Sequence, residues 1–184
     1  MNVLKYLLIY ILALVLLLGA GYLYASSGIK SKPGFAQLYS PKGAGVDALV
    51  SVNLGPGGVG PIRWIFEQVA EQADHGSDEA EKIISSVLGE LNGVQLRVYE
   101  VHGNQEFYDR AIDQAAAKLR SENWQVLVKV NEDEDHVLVM HTSSGDMIDG
   151  LAVLVSTPDN AVFVNLIGPF DPQSIAEAIE HSQA

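Results

Sequence analysis

The sequence predicts an α+β protein, an N-terminal transmembrane helix followed by a mixed, largely antiparallel sheet of about six strands packed with about four helices. Three observations predict it. Tyr6 to Tyr24 is a run of nineteen residues without a charge, and as a helix rising 1.5 Å per residue it spans roughly 28 Å, close to the hydrocarbon thickness of a bilayer. From Val46 to Ile179 the apolar residues repeat at two in some stretches and at three and four in others, the patterns of strands and amphipathic helices. Near the C-terminus four strand-like runs are joined by short turns alone, and short connections make neighbouring strands antiparallel.

The chain divides into a membrane anchor or signal-anchor helix at 1–25, a linker at 26–45 and a single α+β domain at 46–184. Tyr6, Tyr10, Tyr22 and Tyr24 flank the apolar run as aromatic belts flank a spanning helix, and the run exceeds the apolar core of a signal peptide. Ala25, Ser26 and Ser27 nevertheless offer a cleavage signal, so a free periplasmic domain is the alternative to a tethered one. Lys5 lies on one side of the run and Lys30, Lys32 and Lys42 on the other, so the positive-inside rule does not orient it. A short tail ahead of a first apolar segment is how exported proteins begin, which places the anchor in the inner membrane and the domain in the periplasm. The absence of cysteine fits either redox compartment. Ser26, Ser27, Gly28, Pro33, Gly34, Pro41, Gly43 and Gly45, with little apolar periodicity, read as the linker.

In the domain, Val46, Ala48, Val50, Val52 and Leu54 recur at every second position as in a half-buried strand. Ile62, Ile65, Phe66, Val69, Ala70 and Ala73 repeat at helical spacing behind Pro61, a residue suited to the first helical position. Asp78 and Glu81 form a capping box ahead of Ile83, Ile84, Val87, Leu88 and Leu91, and Asn92-Gly93 ends that helix. Val94 to Val101 is the next strand. A helix from about Gln105 to Ser121 follows, with Asn104 as its cap and Tyr108, Ala111, Ile112, Ala115 and Leu119 inward. Trp124 to Val130, His136 to Thr142, Met147 to Val155 and Ala161 to Ile167 form an antiparallel meander, and Asp171-Pro172 opens a last helix.

Charge restricts the partners. The net charge of −12 repels phosphate backbones and argues against nucleic acid. Gln95, Arg97 and Tyr99 alternate with Val94, Leu96 and Val98, while Gln125 and Lys129 oppose Trp124, Val126, Val128 and Val130. The polar side so formed is either an ordinary solvated face or a docking platform, on which Arg97, Tyr99 and Lys129 are the candidate residues for meeting an acidic protein partner.

Catalytic and cofactor signals fail on inspection. Gly55 to Gly60 fits G-x-G-x-x-G, but Pro61 behind the third glycine implies that the helix starts there and that the glycines form a loop. The acidic residue expected some 20 positions on falls at Asp74 or Asp78, in a turn between helices. His136 and His141 are oddly spaced on one strand and face opposite ways, so they cannot share a metal. The acidic run at Glu132 to Asp135 lacks the glycine and bidentate glutamate of a calcium loop and reads as a hairpin tip. His141, Ser143, Ser144 and Asp146 have the residue types of a hydrolase, but such close neighbours rarely converge as nucleophile, base and orienter. No catalytic residue, metal or cofactor is therefore expected. The alternative to an interaction module is a small-molecule pocket at 55–60 with Arg97, His102 or Lys129 as polar contacts.

The ordered set Gly93-Val94-Gln95-Leu96-Arg97-Val98-Tyr99-Glu100, Trp124 to Val130, Asp149-Gly150-Leu151-Ala152-Val153-Leu154-Val155 and Val162 to Gly168 with Asp171-Pro172 resembles the bacterial domain-of-unknown-function family 4252. The resemblance covers roughly Val46 to Ile179. It implies an exported, envelope-associated α+β domain and supplies no catalytic residue. Exported members of that kind are often lipid-anchored through a cysteine, which this chain lacks, so the resemblance leaves attachment to the apolar helix. The expected role is a non-catalytic interaction or sensing module facing the periplasm.

Overall fold

The computed structural model describes residues 30, 32–37, 47–56, 58–60, 89–132 and 135–183. The apolar run at 6–24, most of the segment read as a linker, the helices expected between Pro61 and Leu88, and residues 133–134 of the acidic tip lie outside the described residues. Among the described residues no helix is long and apolar enough to cross a membrane.

Six strands form the sheet: β1 (Val50–Leu54), β2 (Gly93–Glu100), β3 (Gln125–Glu132), β4 (Asp135–Ser144), β5 (Met147–Ser156) and β6 (Asn160–Phe170). Helix α1 (Gln105–Ser121) joins β2 to β3, and α2 (Pro172–Gln183) follows β6. Their order across the sheet is β1-β2-β6-β5-β4-β3, and every neighbouring pair is antiparallel. The expectation of a mixed sheet is thereby corrected. β2 and β3 do run the same way, as strands joined by a helical crossover can, but the returning meander places β6, β5 and β4 between them.

Helix α1 covers the middle of one face. Its Tyr108, Ala111, Ile112, Ala115, Ala116 and Leu119 pack on Tyr99, Phe163, Leu154, Leu138 and Met140 of the sheet, an apolar stripe of the width its 3.6-residue period demands. The opposite face is lined by Leu96, Val98, Val137, Val155, Val162 and Val164, all buried. At one end of the sheet Val59, Leu91, Phe170, Ile148 and Ile175 of α2 form a third cluster.

The helix ends repay separate attention. Asp171 accepts a hydrogen bond from the Gln173 backbone at 2.9 Å, so it caps α2 with Pro172 in the first helical slot; a cap of this kind contributes about 1 kcal/mol. Asn104 occupies the cap position of α1, but its side chain makes no capping bond. The Gly-rich segment departs from expectation: Pro56 and Gly58 to Gly60 are helical, with Val59 N–H donating to Gly55 O at 3.1 Å. Pro56 opens this turn, at a place where a missing N–H costs nothing.

Residues 32–37, read above as part of a linker, are built into the fold. Ala36 is fully buried, and its N–H donates to Asn165 Oδ1 at 2.9 Å. The Asn165 amide donates in turn to Gly34 O at 3.0 Å and Leu151 O at 3.2 Å, and Lys118 of α1 donates to Gln37 Oε1 at 3.0 Å. Gly34 (φ +79°) lies backbone to backbone against Asp149 and Gly150; a Cβ on either glycine would overlap the other segment's main chain. The contact falls where the β4–β5 and β5–β6 registers shift beside Asp149, a bulge that bends β5 and opens room for the passing strap.

Candidate functional site

Paired residues of antiparallel strands share a face, so the registers decide which predicted site residues meet. Arg97 on β2 stands between Ser51 of β1 and Phe163 of β6, on the face that carries α1. Its side chain is half-buried, Nε is enclosed without a hydrogen-bond partner, and the guanidinium makes no ion pair among the described residues. One step along the same face Gln95 pairs with Asn53 and Asn165. Its Nε2 donates to Asn53 Oδ1 at 3.0 Å, while its buried Oε1 has no partner. Ser51, Asn53, Gln95 and Arg97 therefore form a polar corner beside the β1 edge, next to the apolar ground covered by α1.

Tyr99 does not belong to a docking surface. It is 1% exposed, with its ring 5.7 Å from those of Tyr108 and Phe163. Burial, and secondarily Tyr99, hold the Tyr108 phenol above its ordinary value of 10.0, and its hydroxyl donates to Glu100 O at 3.2 Å. Lys129 is exposed and shares the Arg97 side through its pairing with Leu138. Three strands intervene, however, which at inter-strand spacings near 4.8 Å sets the two backbones about 19 Å apart. Gln125 pairs with His141 and turns to the reverse face, because a register shift between Val126 and Val128 breaks the alternation. The single polar platform expected over Arg97, Tyr99 and Lys129 is thus resolved into a polar corner at Arg97 and a separate exposed cation at Lys129.

A cleft of about 400 Å³ opens at the β4–β5 turn, walled by Leu127, His141, Ser143, Asp146, Ile148 and Ile175 with neighbouring turn and α2 residues. None of the described residues of 55–60, where a pocket was expected, lines it, although Val59 belongs to the same apolar cluster as Ile148 and Ile175 of its wall, and it includes none of Arg97, His102 and Lys129. His102, in a left-handed turn with φ 47°, sits 3.4 Å from Glu100 instead. The cleft does gather His141, Ser143 and Asp146. Yet His141 Nδ1 is enclosed without a partner, and no hydrogen bond joins the three residues, so no nucleophile–base pair is assembled. His136 pairs with Ser156 and faces α1, 3.7 Å from Asp109 Oδ1, whereas His141 pairs with Leu151 on the reverse side. Among the described residues no group of three or more acidic or histidine side chains is placed to hold a metal.

Residues 47–178 match the family described as a domain of unknown function, DUF4252. The chain belongs to that family. The matched span of the DUF4252 domain takes in all six strands and α1, while the strap at 32–37 precedes it and still packs into it. No curated protein matches the chain.

Sequence reasoning identified Arg97 and Lys129 but missed Asn165 and the Gly34–Gly150 contact. Asn165 is a lone polar residue in the apolar run Val162 to Ile167, and a polar group there needs a partner from outside the strand. That signal was available.

Proposed function

We propose that this chain is a membrane-anchored, non-catalytic interaction or sensing module whose domain is held in the periplasm at the surface of the inner membrane. The observation that carries the reading is the strap. Gly34 to Ala36 are fixed to Asn165 and Gly150, so little free chain separates the end of the apolar run at Tyr24 from the folded domain. Counted to Lys32, eight residues remain, which extend at most about 28 Å. The domain rides close to the lipid in a restricted orientation, as suits a protein that meets a neighbour in the same envelope. Partner contact is assigned to the polar corner at Ser51 and Arg97. The acidic surface disfavours nucleic acid as that partner.

Alkaline carbonate extraction of membranes, with protease accessibility in intact and osmotically shocked cells, tests the placement. The full-length chain should stay in the membrane pellet and become digestible only after shock. Recovery of a shortened chain in the soluble periplasmic fraction would refute the anchor, and digestion only after cell lysis would refute the orientation.

A second reading, a small-molecule site, draws support from the cleft beside His141, whose volume falls in the lower range of ligand pockets. Specific binding of a compound that shifts the NMR resonances of Ile148 and Ile175 would favour it.

A further inference from the structure

The β1 edge and Arg97 together point to one kind of partner, and the inference rests on the interaction-module reading above. β1 is the outermost strand on its side of the sheet. Among the described residues it pairs with β2 alone, and no backbone hydrogen bond is made from Val50 to Leu54 on the other side. Edge strands are commonly guarded by charge, proline or a bulge. The sequence Val50-Ser51-Val52-Asn53-Leu54 has no charge and no proline, and its register with β2 runs without a shift. The far edge, β3, differs: it carries Lys129 and a register shift.

Arg97 supplies the second, independent observation. An enclosed Nε–H that finds no acceptor among the described residues is costly, and in a chain of net charge −12 the missing partner is not explained by any shortage of carboxylates. Ser51, the residue between Arg97 and the open edge, is small. A residue added opposite Ser51 by a new strand would lie two inter-strand spacings from Arg97, about 9 to 10 Å between backbones. A glutamate side chain there reaches the guanidinium over the serine.

We propose that β1 accepts an extended segment of a partner protein as a seventh strand, with apolar residues beside Val50, Val52 and Leu54 and an acidic residue opposite Ser51 paired with Arg97. Main-chain hydrogen bonds supply the affinity, and the charge selects the register and the partner. Shifting the added strand by one residue would turn the carboxylate to the valine face, so the charge fixes the alignment.

The test titrates the full-length protein in detergent with a fluorescein-labelled probe, the peptide acetyl-Val-Thr-Val-Glu-Val-Thr-Val-amide, and follows amide exchange across Val50–Leu54. The probe should bind and slow exchange there. Replacing its Glu by Lys, or Arg97→Gln in the protein, should weaken binding roughly tenfold or more, the loss expected for a charge-assisted hydrogen bond. Arg97→Lys should lose less than Arg97→Gln, and N-methylation of alternate probe amides should abolish binding. Equal binding of the Glu and Lys probes, protection outside β1, or concentration-dependent self-association through β1 without the probe would each overturn the proposal. Carbonate extraction of the same protein reports the membrane reading separately, so the two can fail independently.

Discussion

Replacing Asn165 by alanine should release the strap and leave the sheet standing. Two of the Asn165 bonds hold the strap, the one accepted from Ala36 N–H at 2.9 Å and the one donated to Gly34 O at 3.0 Å. Each contributes about 1 kcal/mol net, and a fully buried Ala36 N–H left without an acceptor costs about 1–3 kcal/mol more. The docked state therefore loses about 3 kcal/mol or more, roughly a hundredfold in the equilibrium between docked and open strap at tenfold per 1.4 kcal/mol. Hydrogen exchange on the full-length chain reads this directly. In the alanine variant the peptide carrying Lys32 to Gln37 should exchange roughly a hundredfold faster, while peptides from β4 hold their protection. Asn165→Asp, which keeps the acceptor and loses the donors, should fall between. An unchanged rate at Ala36, or a uniform rise through every strand, would refute the assignment of Asn165 as the clasp.

Four further outcomes follow from the geometry. Gly150→Ala should open the same strap, because its Cβ would overlap the Gly34 main chain; a loss of about 1–3 kcal/mol is expected for such overpacking, measured as faster exchange at Lys32 to Gln37. Tyr108 titrates above 10.0 in the folded chain, so the unfolded chain gives up that proton first. The contribution of Tyr108 to stability should be level below about pH 10 and fall as pH rises from there through the folded value, and Tyr108→Phe should remove part of that slope in denaturant titrations. Leu154→Ala, at a fully buried position, should cost about 2–5 kcal/mol in chemical denaturation, whereas Arg110→Ala, which removes an exposed pair with Glu106 one helical turn away, should cost no more than about 0.5 kcal/mol.

What the sequence revealed and what it concealed divide along physical lines. Helix α1 has the predicted bounds because its apolar stripe and its flanking turns agree, and the meander was legible because alternation and short turns both act locally. Asp171-Pro172 announced α2 for the same reason. Alternation assigns Arg97 and Tyr99 to one side correctly, but it cannot tell how far a helix packed on that side extends, and α1 covers Tyr99 while Arg97 stays half-open. Lys129 lies on the Arg97 side as expected, but the side of Gln125 was misjudged because a bulge near Leu127 has no distinctive residue to mark it. At the Gly-rich segment, Pro56 and the glycines behind it already turn as a helix, which the glycine content concealed. Even so, the dinucleotide reading gains nothing, because that fingerprint needs a parallel β-α-β unit and β1 lies antiparallel to β2. Gly34 and Gly150 meet across the length of the chain, a relation no local pattern encodes.

The strand order also sets a schedule for how the protein comes into being. β1–β2 and β3–β4–β5 are two separate pieces of hydrogen-bonded ladder, and β6 alone bridges them. Some 60 residues separate Glu100 from Asn160, so on a ribosome adding about 5–20 residues per second the first piece waits roughly 3–12 s for its mate. Until that late segment emerges, the β1–β2 pair lacks the strand that β2 hydrogen-bonds on its other side, which is the interval in which a chaperone earns its place. A chain ended by a premature stop before Asn160 would be two orphans on one string.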